Sequence, residues 1–244
     1  MIKEIYEIRK LLLLSVAVGI AVGLFTVAFL KSLSLSTELF LGKLVGYLPP
    51  KPAGEESSQG FYAFFIEHRA FLPFVTALGG LITGALVFFL SPESRGVGTD
   101  VAIKAFHYRL PIGLRTSVLK LVTSAVTIGS GGSSGREGPM ALIGAGIGRW
   151  LGELFKLSSR EKSVLLAAGL GAGIGAVFRA PFAGGILSAE VFYKEDFEVE
   201  ALIPGFVASI VAYIVAGSFV GYRPLFETDV PFPKFNSTEV AGYL

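Results

Sequence analysis

The run from Leu11 to Leu30 contains no charged residue across 20 positions. At about 1.5 Å of rise per residue such a helix covers roughly the 30 Å hydrocarbon core of a bilayer. Lys3, Arg9 and Lys10 precede it, as in a secretory signal, but the run is long for a signal core. No small-residue cleavage site leading into a soluble sequence follows. The reading is a membrane-spanning helix. Two further uncharged runs, Ala70 to Ser91 and Ala201 to Tyr222, are long enough to cross, the latter interrupted only by Pro204. The expected fold is therefore all-α and polytopic, an integral multi-pass membrane protein with lipid as its solvent. Residues 1–10 are expected as a cytoplasmic segment, because the basic residues lie there. Residues 31–69, with Pro49, Pro50, Pro52 and the polar run Glu55-Glu56-Ser57-Ser58-Gln59-Gly60, are expected as a solvent-exposed connection.

Composition narrows the function classes. Charged residues make up 16% of the 244, against about 25% in soluble domains. A net charge of +2 is too small for a nucleic-acid partner. With no cysteine and two histidines, thiol chemistry, Cys-zinc sites and a histidine-based metal centre or triad have no material to work with. No enzyme chemistry and no cofactor is expected.

The middle of the chain is apolar but interrupted. Thr116–Ile147, Ser163–Phe178 and Ala180–Ala189 are cut by Lys120, Arg136, Glu137, Pro139, Arg179 and Pro181, leaving pieces too short to cross alone. In lipid, broken or re-entrant helices persist only where protein or a polar cavity satisfies the freed backbone groups. That pattern belongs to transporters. Gly19, Gly23, Gly79, Gly80 and Gly84 carry no such charges beside them and read as contacts for close helix packing.

The densest feature is Gly129-Ser130-Gly131-Gly132-Ser133-Ser134-Gly135-Arg136-Glu137-Gly138-Pro139, opening into a helical pattern over Met140–Leu154. Proline fits the first turn of a helix, so the run reads as a loop that delivers backbone N–H groups to a helix N-terminus. Those donors and the positive end of the helix dipole suit an anion. A nucleotide loop is a poor match: three residues rather than four separate Gly131 from Gly135, and Arg136-Glu137 stands where Lys-Ser/Thr belongs. The Gly169–Gly175 run fails the dinucleotide fingerprint as well. Glu137 admits two readings. It is either a favourable first-turn acid, or a tethered carboxylate that competes with an anion for the same donors and leaves when neutralised. The glycines around it and the membrane setting favour the second.

The Gly-Arg-Glu-Gly-Pro at 135–139 resembles the signature of the CLC chloride channel and proton/chloride antiporter family. Two other segments agree in order: Gly96-Val97-Gly98-Thr99-Asp100 is similar to the family's Gly-Ser-Gly-Ile-Pro, and Phe178-Arg179-Ala180-Pro181-Phe182-Ala183-Gly184 to its Phe-Asn-Ala-Pro-Leu-Ala-Gly. The resemblance implies the first half of a two-repeat pore that works as a homodimer in the cell membrane, with 1–244 as that half. It implies that Glu137 is the external gate and that the N–H groups of Arg136, Glu137 and Gly138 face an outer anion. It implies that Val97 and Gly98 border a central one. Valine 97 replaces a hydroxyl donor, which leaves fluoride or nitrate open beside chloride, and Thr99-Asp100 departs from Ile-Pro. Reading on from Phe178, Glu190 matches the first of two adjacent glutamates, expected as a buried, hydrogen-bonded acid. Val191 takes the place of the internal proton-transfer glutamate, which implies a channel-like member unless water or an acid such as Glu195 substitutes. The tail is expected to begin another helix at 240–244 after a cap at Asn236–Glu239, with the elements of the second half absent. A non-conducting membrane scaffold is the alternative from outside the transport class.

Overall fold

The computed structural model describes residues 2–50, 52 and 69–226, and among them every regular element is helical. The polar run at 55–60 and the cap and helix expected at 236–244 lie outside the described residues. Helix α1 spans Ile2–Thr37 and runs on into a π-helical stretch, Glu38–Lys43. Residues 2–10 are helical and continuous with the span that begins at Arg9. One expectation is corrected: the connection expected from Lys31 is helical through Val45. Within it Thr37 Oγ1 donates to Leu33 O at 2.8 Å. The helix ends where Gly46 takes φ +73° and donates to Gly42 O, a left-handed stop that glycine makes without steric cost.

Seven helices follow: α2 Leu72–Leu90, α3 Thr99–Tyr108, α4 Leu114–Gly129, α5 Glu137–Leu154, α6 Ser159–Val177, α7 Pro181–Glu190 and α8 Val199–Val220. Among the described residues three stretches are long and apolar enough to cross a membrane, Arg9–Lys43, Leu72–Leu90 and Val199–Val220, matching the three uncharged runs. Helices α3 and α7 have 10 residues each, about 15 Å of helix, half a crossing. Of the two, α7 opens at Pro181, one of the expected interruptions, while α3 lies outside the interrupted stretches.

The core is the α5–α6 pair. Met140 to Ile143 and Leu165 to Ala168 are fully buried, and the two backbones meet through glycine. A Cβ on Gly144 would lie 2.0 Å from Gly169 O, one on Gly148 2.0 Å from Leu165 O, and one on Gly173 2.2 Å from Met140 O. The Gly169–Gly175 run is thus a helix-packing face, where small side chains let backbones touch. Helices α1 and α8 meet in the same way, Gly19 against Ala208 O and Gly23 against Ala212 O. Helix α2 lies outside this core and turns Phe74, Leu81, Phe88 and Phe89 outward. Gly79 packs on Ser130, as expected, but nothing lies within 4 Å of a Cβ on Gly80 or Gly84. The packing role read for those two does not hold among the described residues, because they sit on the bare face of α2.

Candidate anion site at converging helix N-termini

The loop between α4 and α5 is built by short-range bonds and anchored by neighbours. Ser130 N donates to Val126 O, Gly131 N to Ile128 O and Gly132 N to Thr127 O, closing α4 in a turn that gives Gly131 a φ of +94°. Thr76 Oγ1 on α2 donates to Ser130 O at 3.0 Å. Gly129 presses on α1, where a Cβ would sit 2.4 Å from Ser36 Oγ. Beyond this anchor Ser133, Ser134 and Gly135 are exposed, and the chain enters α5 at Glu137. No side chain caps α5. Pro139 has no N–H, so the first-turn donors left by helix geometry are the N–H groups of Glu137 and Gly138.

Helix α3 brings a second N-terminus to the same place. Gly98 is its N-cap, with φ +125°, a backbone conformation closed to side chains with a Cβ. A Cβ there would stand 2.2 Å from Gly138 O, and one on Gly138 would stand 2.5 Å from Val97 O. The two helix starts therefore touch backbone to backbone, and both glycines are buried. The structure brings together five of the residues singled out in the sequence: Val97, Gly98, Arg136, Glu137 and Gly138. Val97 is 70% exposed and presents hydrocarbon. The Glu137 side chain is exposed and curls back over the loop, since a Cβ on Gly135 would fall 1.8 Å from its Oε2.

Glu190 and Val191 lie apart from this group, at the C-terminal end of α7. Glu190 is exposed, not buried: α7 turns Gly184, Gly185, Ser188 and Ala189 inward, and the last residue falls off that face. Val191 packs at the edge of an apolar cluster with Leu166, Phe192 and Ala201. Glu195 is exposed. Arg179, with φ +56°, ties the α6–α7 corner to the end of α8 by donating to the carbonyls of Val220 and Arg223.

Two residues belong to the site that the sequence reading did not place there. Asp100 Oδ1 accepts from Gly98 N–H at 3.0 Å. This is the returning half of a capping box, supplied one residue early. Lys120 of α4 is buried, and its Nζ donates to Gly96 O at 2.7 Å and Ser94 O at 3.2 Å. A buried ammonium requires such partners. An acid two residues after a helix-starting glycine was the readable signal for Asp100. Lys120, noted only as a break in an apolar stretch, had none.

Residues 79–244 match the sequence profile of the family described as voltage gated chloride channel. The chain belongs to that family. Among its relatives is the H(+)/Cl(-) exchange transporter ClcA of Citrobacter koseri, 31% identical over 223 residues, a match that takes in 89% of this chain and 44% of that protein. The fold agrees with two solved antiporter structures. A CLC-type fluoride/proton antiporter superposes with a TM-score of 0.73 at 22% identity, over 96% of this chain and 52% of the other. A slow cyanobacterial Cl-/H+ antiporter superposes at 0.66 and 22%, over 85% and 46%. The chain spans about half the length, or less, of these relatives, and its helices form the corresponding half of the family's membrane fold.

Proposed function

We propose that this chain supplies the first half of a CLC-type pathway for chloride or a similar small anion, gated by the Glu137 carboxylate, and that it works as a homodimer in the cell membrane. The observation that carries this reading is the backbone contact of Gly98 with Gly138. It sets the positive ends of two helix dipoles side by side, with an ionisable carboxylate on the first residue of one of them. A dehydrated anion passing there is held by N–H groups instead of water. The carboxylate carries the same charge and suits the same donors, so anion and Glu137 exclude one another. Protonation neutralises the side chain and frees the donors.

Val97 and Val191 set the finer expectations. With hydrocarbon at Val97, discrimination among anions rests on backbone donors, and one solved structure of the same fold is a CLC-type fluoride/proton antiporter. With hydrocarbon at Val191, no side chain relays a proton at that position, which favours channel-like flux over strict exchange. The test is flux from proteoliposomes holding the full-length protein. Glu137→Gln is expected to change both the rate and its pH dependence, and an unchanged profile would overturn the gate. Stoichiometric proton movement driven by a chloride gradient would overturn the channel-like reading. Competition among chloride, fluoride and nitrate in the same vesicles assigns the anion.

A further inference from the structure

We propose that the cavity where the end of α3, the start of α6 and the connection 191–198 meet is a site for a phospholipid headgroup that carries both a phosphate and a primary ammonium. It lies at the opposite end of α3 from Gly98 and shares no residue with the anion site.

The cavity measures about 390 Å³, within the range of small-ligand sites. Two clasps fix its walls. On one side His107 Nε2 donates to Phe192 O at 2.7 Å, and the Phe106 and Phe192 rings stack with centroids 4.3 Å apart, which pins the connection after α7 to the last turn of α3. On the other, the Arg160 guanidinium binds both carboxylate oxygens of Glu200 and pins the start of α6 to the start of α8. These contacts are internal to the protein, so the shape does not depend on a ligand.

The lining leaves one charge of each sign with bonding capacity unused. Arg109, just past α3, and the Ser159 hydroxyl make no hydrogen bond or ion pair among the described residues, whereas Arg160 is occupied by Glu200. Glu198 accepts from the Tyr193 hydroxyl at Oε2, 3.1 Å away, and has no hydrogen bond at Oε1. A planar guanidinium suits a phosphate. A carboxylate beside the rings of Phe106 and Tyr193 suits an ammonium. A purely anionic ligand would face Glu198, and a purely cationic one Arg109.

Depth makes the source a lipid. Lys10 Nζ bonds Glu161 Oε1 at 3.1 Å, and the apolar crossing of α1 starts at Arg9. The crossing of α8 starts at Val199, next to Glu198. The cavity therefore stands where the helices enter the hydrocarbon, at the level of the headgroups. Phe197 and Val199, on either side of Glu198, are 53% and 71% exposed, an apolar rim for acyl chains beside a polar hollow.

The test takes the full-length protein, stripped of lipid in detergent, and titrates it by native mass spectrometry with phosphatidylethanolamine, phosphatidylglycerol and phosphatidylcholine of matched chains. The first phosphatidylethanolamine is expected to bind about threefold or more tighter than either of the others. Glu198→Gln keeps an acceptor for Tyr193, removes the charge and should erase that preference. Arg109→Asn removes the cation at a position with φ +55°, a left-handed backbone that asparagine tolerates. Its lipid-free thermal midpoint should match the parent while affinity for all three lipids falls about threefold or more. Equal binding of the three lipids, a preference that survives Glu198→Gln, or affinities unmoved by Arg109→Asn each overturn the site. If Arg109→Asn lowers the midpoint, Glu198→Gln decides. Soluble phosphoethanolamine that displaces the lipid at the lipid's own concentration assigns the cavity to a water-borne ligand and overturns the lipid as its occupant.

Discussion

The glycines of the α5–α6 seam and those of the loop leading into α5 follow one another within a few dozen residues, and their surroundings are opposite. Gly144, Gly148, Gly169 and Gly173 are buried in helices, and the atoms they face are backbone carbonyls of the neighbouring helix. Gly131 and Gly135 are exposed, outside any helix, and the nearest atoms to a Cβ there are the ends of side chains, Thr76 Oγ1 and the Glu137 carboxylate. A seam glycine is wanted for the side chain it lacks, because rigid backbone fills the space. A loop glycine is wanted for the backbone it leaves uncovered. A Cβ on Gly132 of the same loop would stand 2.6 Å from the Thr127 carbonyl, so the contrast belongs to Gly131 and Gly135 and not to every loop glycine.

Substitutions widen or close that gap. The largest effect is expected at Gly144→Val: carbonyl oxygen at 2.0 Å cannot yield as a side chain can, so the helices must part, at a cost of about 3 kcal/mol or more. Detergent-solubilised protein should lose monodispersity or much of its thermal midpoint, and retention of both would show the seam to be loose. Next comes Glu137→Gln, expected to change flux about tenfold or more with no loss of fold. Gly135→Ala separates the two glycine classes most directly. The atoms nearest its methyl would be those of the exposed Glu137 carboxylate, and Gly135 is not among the positive-φ glycines. Flux should shift a few-fold while stability changes by less than about 1 kcal/mol. A large stability loss would place Gly135 with the seam. The smallest effect belongs to Gly80→Ala and Gly84→Ala on α2, with open space around them. Each should stabilise the helix by about 0.5–1 kcal/mol, read as a raised midpoint with unchanged flux.

What could be read without the structure follows from range. The uncharged runs, the turn-forming glycines before Glu137 and Pro139 in the first turn of α5 are local signals, and the structure carries each of them. Glycine packing was legible at Gly19, Gly23 and Gly79 as a type but not as a face. Gly79 and Gly80 are adjacent, yet one meets Ser130 and the other meets nothing, a choice made by how α2 docks. The extension of α1 past Leu30 was hidden because Lys31 ends the uncharged run from which the span was read, whereas the helix continues through Val45. Glu190 was misread for a related reason: an acid next to an apolar run looks buried, and the helix end on which it stands turns it outward. The link from Lys120 to Gly96 crosses 24 residues of sequence and depends on α4 lying behind the α3 loop, which no periodicity encodes.

The clasp of α1 on α8 bears on how the protein is made. Gly19 meets Ala208, a residue 189 positions later in the chain. At synthesis rates of about 5 to 20 residues per second, α1 waits roughly 10 to 40 s in the bilayer before the helix that covers its glycine face exists. It is equipped for that interval. Ser15 and Thr26 donate their hydroxyls to Leu11 O and Val22 O inside the helix, so the first helix to be made offers lipid no unpaired hydroxyl at those positions while it stands alone.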